Sequence, residues 1–181
     1  KESNVEIPAI YNGKPVTKIS DGMFENDTNI TTITLSSNIT YIGNNAFKNC
    51  PNLKQIIFKS ASTYSSASAD AHSGNYAITT LAVVNGKKDP NNNVAVIGES
   101  AFYNCTALES IDISSATTIG RNAFYGCSKL ESVSLNDNLT KLADSTFNGC
   151  LKLNNLQLPS ALTEIGANCF VNCQELESIA I

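Results

Sequence analysis

At 181 residues and 42% apolar content, the chain is long enough for one domain with a sizeable core, which excludes disorder throughout. Charged residues make up 15% and the net charge is −4, so the chain lacks the concentrated positive field that nucleic-acid phosphates require. No run of about 18 apolar residues occurs, so no membrane span is expected, and a cleaved export signal would leave no mark on a chain that opens on Lys1 and Glu2.

From residue 19 onward one pattern recurs: "ISDGMFENDTNI" from 19, "IGNNAFKNCPNL" from 42, "IGESAFYNCTAL" from 97, "IGRNAFYGCSKL" from 119, "LADSTFNGCLKL" from 142 and "IGANCFVNCQEL" from 165. The steps between copies are 23, 55, 22, 23 and 23 residues. The one long step is a repeat plus about 32 residues, which places an insertion at roughly 61–93. Within it, the loop-like "KSASTYSSASADAHSGN" precedes the β-prone "YAITTLAVV" and the hairpin-type pair Asn85-Gly86.

Each copy runs on into an apolar triplet whose last two members are two residues apart, as in Ile30, Ile33, Leu35, then Leu53, Ile56, Phe58, and so on to Leu176, Ile179, Ile181. That spacing puts side chains on one face of a strand. A period of 20 to 29 residues around an L-x-x-L-x-L strand is the signature of a leucine-rich repeat, whose coils bury their apolar sides only by stacking on one another.

All seven phenylalanines fall on apolar positions of this register: Phe24, Phe47, Phe102, Phe124, Phe147 and Phe170 at one shared position, Phe58 in a strand. They are expected to form a stacked interior ladder. Two residues after each shared Phe stands Asn26, Asn49, Asn104, Gly126, Gly149 or Asn172, the two residue types that enter left-handed backbone most readily. A short helical turn around Ala-Phe, ended by a left-handed cap, is the expected local structure. The position after the leading Ile or Leu holds Ser20, Gly43, Gly98, Gly120, Ala143 and Gly166, which implies a demand for small size rather than for positive φ.

These residues resemble the BspA-like leucine-rich-repeat proteins of bacterial and some protist surfaces, whose repeats have the form L-x-x-I-x-L-P-x-x-L-x-x-I-G-x-x-A-F-x-x-C. "LNNLQLPSALTEIGANCFVNC" at 153–173 matches nearly throughout. The start, "VEIPAIYNGKPVTKIS", is similar to the strand and hairpin with which the family's arrays begin. The resemblance covers nearly everything except the insertion, and it implies an exported module with a tendency to adhesion to host or neighbouring-cell proteins. Asp27 departs from it by replacing Cys, and "LADSTF" breaks both the Gly and the Ala-Phe pattern.

Against this background the chemistry is sparse. Cys50, Cys105, Cys127, Cys150 and Cys173 share one position, with Cys169 in place of the last Ala. Paired C-x-x-C units for zinc do not occur, and equivalent β-carbons in stacked coils stay near the strand spacing of about 4.8 Å, beyond the favoured disulfide value of about 3.8 Å. Buried free thiols are therefore expected ahead of a disulfide or a metal site. The single histidine, His72, lacks partners for a triad, and no G-x-S-x-G is present, so neither an enzyme nor a cofactor is expected. Sequons such as Asn29-Ile30-Thr31 read mostly as composition, with glycosylation a minor alternative.

The surface left for function is the outer side of the strands. Its candidate binding residues are Thr32, Thr34, Gln55, Ile57, Ser110, Asp112, Ser132, Ser134, Asn155, Gln157 and Ser178, which form one continuous face in a solenoid. Small, polar and mildly acidic, it has almost no aromatic anchor, so a purely solvated face is the competing reading. Tyr103 and Tyr125 are expected side by side on the convex side.

The resulting expectation is an α/β, mostly β, solenoid over 1–181. It would be a right-handed leucine-rich-repeat array with an N-terminal hairpin region at 1–18, parallel strands on one face and short helical turns on the other. Its expected role is non-enzymatic binding of an extracellular or cell-surface protein by a secreted or surface module, with a structural spacer as the alternative. A last coil that stops at Ile181 without a polar cap further predicts a longer natural protein or an end-to-end contact.

Overall fold

The computed structural model describes residues 3–59 and 94–177; the insertion and the last strand position lie outside the described residues. Among the described residues thirteen short strands follow one another: β1 (Ser3–Glu6), β2 (Ile10–Tyr11), β3 (Lys14–Pro15), β4 (Lys18–Ile19), β5 (Ile30–Ser36), β6 (Tyr41–Ile42), β7 (Gln55–Lys59), β8 (Val96–Ile97), β9 (Ser110–Asp112), β10 (Thr118–Ile119), β11 (Ser132–Ser134), β12 (Lys141–Leu142) and β13 (Glu164–Ile165). We number the coils one to six from Ile19, Ile42, Ile97, Ile119, Leu142 and Ile165.

Each coil has three sides. A two-residue strand leads in, a tight turn carries the Phe, and a longer strand or extended segment follows. The lead-in strands pair in parallel in the order β4-β6-β8-β10, with β12-β13 separate. The longer strands form β1-β5-β7 and β9-β11, extended by a single bridge from Ser132 to Asn155. Antiparallel β2 and β3 make the hairpin, closed by Asn12 and Gly13 at φ 49° and 73°, the conformation its two-residue turn requires.

The interior is one apolar column. Phe47, Phe102, Phe124 and Phe147 are fully buried and stack with their neighbours at centroid distances from 5.2 Å, between Phe24 and Phe47, to 5.8 Å, between Phe147 and Phe170. Phe47 lies directly on Phe102 at 5.4 Å, so coils two and three are adjacent although 55 residues separate their equivalent positions.

The turns differ from the expected helical ones: no helix occurs among the described residues. In coil two, Ala46, Lys48 and Cys50 donate to the carbonyls of Gly43, Asn45 and Phe47, three residues back, while Asn45, Phe47 and Asn49 donate to Glu99, Ala101 and Tyr103 of coil three. Alternate N–H groups thus close β-turns and cross to the next coil. The cause is a second left-handed residue two before each Phe, filled by Gly22, Asn45, Ser100, Asn122, Ser145 and Asn168, all with φ between 54° and 62°. A left-handed residue every four positions rules out the i to i−4 ladder of an α-helix and gives turns that need φ > 0 at their third residue.

The expected left-handed cap two after the Phe is present in every coil, from Asn26 at φ 64° to Asn172 at φ 62°. The small-residue position also behaves as expected. A β-carbon on Gly43, Gly98, Gly120 or Gly166 would sit 2.4 to 2.5 Å from atoms of the preceding coil, mostly backbone, and none of these glycines has positive φ.

Candidate strand-face site

On β5, Ile30, Ile33 and Leu35 are buried while Thr32 and Thr34 are half-buried on the outer side. Parallel pairing sets Thr32 beside Gln55 and Thr34 beside Ile57. On the other side of β5, β1 sets Asn4 against Thr32 and Glu6 against Thr34. Two rows result, Asn4-Thr32-Gln55 and Glu6-Thr34-Ile57, bordered by an ion pair at 2.6 Å between Lys59 Nζ and Glu6 Oε1 that reaches across the intervening strand. Asn4 and Glu6 escaped the sequence reading, although the in-out alternation of Val5, Glu6 and Ile7 marks β1 as a strand.

A second patch lies on β9 and β11. Ser110 pairs with Ser132, which bridges to Asn155, and the strand starts carry exposed Glu109 and Glu131. Ser134 is half-buried and Gln157 exposed. The expected continuous face is therefore interrupted. Among the described residues, the sheet β1-β5-β7 ends at β7 and the next pairing on this side is between β9 and β11. Asp112 is not on the accessible surface: it is 5% exposed, and its Oδ1 accepts the N–H of Ser114 at 2.9 Å. Ser178 lies outside the described residues.

The cysteines point away from this face into the column. Each shared-position thiol donates to the Phe carbonyl of the coil before it, from Cys50 Sγ to Phe24 O at 3.0 Å to Cys173 Sγ to Phe147 O at 3.2 Å. Burial pushes the thiols of Cys50, Cys169 and Cys173 up to about 11 and those of Cys105, Cys127 and Cys150 still higher. Reactive cysteines have the opposite setting, a lowered thiol value in an electropositive site. On the turn side, Tyr103 and Tyr125 are half-buried and stack at 4.8 Å with 4° between their planes. On the last coil, Phe170 and Leu176 are half-buried and Ile165 and Val171 exposed. No helix among the described residues is long and apolar enough to cross a membrane.

The model of the BspA type leucine-rich-repeat region matches six copies over residues 3–79 and 85–181, as many copies as the fold has coils. The chain belongs to this family. Among solved structures, it is similar to a leucine-rich-repeat protein of T. pallidum at 25% identity and a TM-score of 0.62, over 98% of this chain and 79% of that one. A leucine-rich-repeat protein of Bacteroides ovatus is 27% identical with a TM-score of 0.58, over 98% of this chain and 45% of its own length. A leucine-rich cell surface protein of Faecalibacterium prausnitzii shares the fold at 23% identity and a TM-score of 0.59, over 98% of this chain and 47% of that one. The BspA-type chain thus spans less than half the length of two of these three. Among curated proteins none matches it.

Proposed function

We propose that this chain is a non-enzymatic module that binds extracellular or cell-surface proteins, in an adhesive role, from a secreted or surface-attached position. The observation that carries this reading is the pair of outward rows on β1, β5 and β7: hydroxyl, amide and carboxylate groups held by parallel pairing beside half-buried Ile57. A rigid polar face with one apolar contact suits hydrogen-bonded recognition of modest affinity. The Faecalibacterium relative's description as a cell surface protein supports the location.

The second reading is a structural spacer within a larger surface protein. It is favoured by the absence of tryptophan in the chain and by the lone apolar residue among the described positions of the candidate face. The test is binding of the purified chain to a panel of extracellular-matrix and cell-surface proteins, with Gln55→Arg, Ser132→Arg and a variant lacking residues 61–93. A partner whose affinity falls about 10-fold with either arginine, a change of about 1.4 kcal/mol, places the contact on the strand face. Loss only on deletion moves it to the insertion, and no binding anywhere leaves the spacer.

A further inference from the structure

Four lead-in strands, β4, β6, β8 and β10, form one ladder, and the next, β12, is not in it. The break coincides with one substitution in the repeat. Where coils two, three, four and six carry glycine, coil five carries Ala143. The glycine N–H donates to the coil before it in each of those four: Gly43 to Ile19 O at 3.0 Å, Gly98 to Ile42 O at 2.8 Å, Gly120 to Ile97 O at 2.9 Å and Gly166 to Leu142 O at 2.8 Å. Among the described residues, no corresponding bond joins Ala143 to Ile119. The reason is steric, since a β-carbon at Gly120 would lie 2.5 Å from the backbone N of Glu99 in coil three. Ala143 has that β-carbon, so coils four and five part at this corner.

The separation extends to the residue before the strand. Thr40, Thr117 and Thr163 each donate their N–H to the preceding coil at 2.8 to 2.9 Å, and Thr140 has no such bond to Thr117. On the strand side the two coils share a single bridge, Ser132 to Asn155. What still joins them is that bridge, where the N–H groups of Asn154 and Asn155 both donate to Glu131 O at 3.2 Å, and the turn side, through Asn122, Phe124 and Gly126 N–H to Asp144, Thr146 and Asn148, the Phe124–Phe147 stack, and the Cys150 thiol on Phe124 O.

We infer that coils five and six open from coils one to four as a single cooperative unit, with the Ala143 corner as the built-in point of separation. In a stacked array, stability is a sum of coil terms and nearest-neighbour interfaces, so the interface lacking ladder bonds is where local opening concentrates. The opening also divides the second surface patch, because Asn155 and Gln157 move with coil five while Ser110 and Ser132 stay. A partner that touches both sides shifts the equilibrium toward the closed array.

Native-state hydrogen exchange on the full chain, read by mass spectrometry, tests this. Expected are one common opening rate for amides of 142–177, faster than that for 97–130, and slowing of about fivefold to 10-fold on Ala143→Gly, from roughly two recovered bonds less the glycine entropy. Gly120→Ala should conversely create a second boundary, with coil four joining the fast-exchanging unit. A graded profile in which coil six exchanges well ahead of coil five is ordinary end fraying and would overturn the inference. So would an Ala143→Gly variant that leaves 142–177 unchanged.

Discussion

At the scale of single residues, the repeat is governed by backbone conformation and by closeness of approach. Asn49 combines both demands: it sits at φ 57°, donates Nδ2–H to Asn26 Oδ1 at 2.8 Å, and accepts from Asn104 at 3.4 Å. Asn49→Ala should cost about 1 to 2 kcal/mol through the left-handed penalty alone, and Asn49→Gly should cost less, as measured by urea unfolding. At Gly98 the difficulty is space, because an added β-carbon meets Gly43 C at 2.5 Å. Gly98→Ala should therefore destabilise by about 1 to 3 kcal/mol, and an unchanged urea midpoint would contradict the close contact. The thiols give the pH dependence. Their folded values lie above the ordinary 9.0, so the folded state holds its protons more tightly than the unfolded one. That contribution is complete below pH 9.0 and declines as pH rises toward 11 and beyond, so alkaline melting should steepen above pH 9.0 and less so in Cys127→Ala. In denaturant about six thiols should titrate, matching the cysteine count, and two or fewer would show that disulfides form.

At the scale of the coil, the Phe column dominates. Phe124 is 0% exposed and stacked on both sides, at 5.3 Å with Phe102 and 5.5 Å with Phe147. Phe124→Ala should cost about 3 to 5 kcal/mol in thermal or urea unfolding, while Phe24→Ala, at a half-buried end of the column, should cost less. Equal losses at the two sites would mean that the column does not bear on stability in proportion to burial. Side-chain caps reinforce the stacking. Asp21, Asn44 and Asp144 accept the N–H of the next coil's Asn44, Glu99 and Ala167 at 2.8 to 3.0 Å. Asp27, the departure from the cysteine pattern, instead accepts from Asn29 and Ile30 at 2.7 and 3.0 Å and so closes the first turn.

At the scale of the molecule, the period and the Phe position were legible in the residues, because a repeat averages out local ambiguity. The turns were misread because the second left-handed position is less restricted in composition. Ser100 and Ser145 occupy it, and serine does not advertise positive φ as glycine does. The candidate face was legible as polar alternation, yet Asp112 follows the same alternation and is buried, since its carboxylate turns back onto Ser114. The division of the face lay beyond residue patterns, as it depends on which strands pair across a boundary. Its sharpest clue was Ala143, a one-carbon departure in a glycine position.

The column of thiols can also be read as a set of addresses. Five S–H groups, on Cys50, Cys105, Cys127, Cys150 and Cys173, each cross a different boundary between coils and end on a Phe carbonyl. The S–H vibration falls where the rest of a protein scarcely absorbs, and it shifts when its weak hydrogen bond is lost. Replacing all but one cysteine with alanine would leave a chain whose infrared spectrum watches a single boundary open, with no label attached.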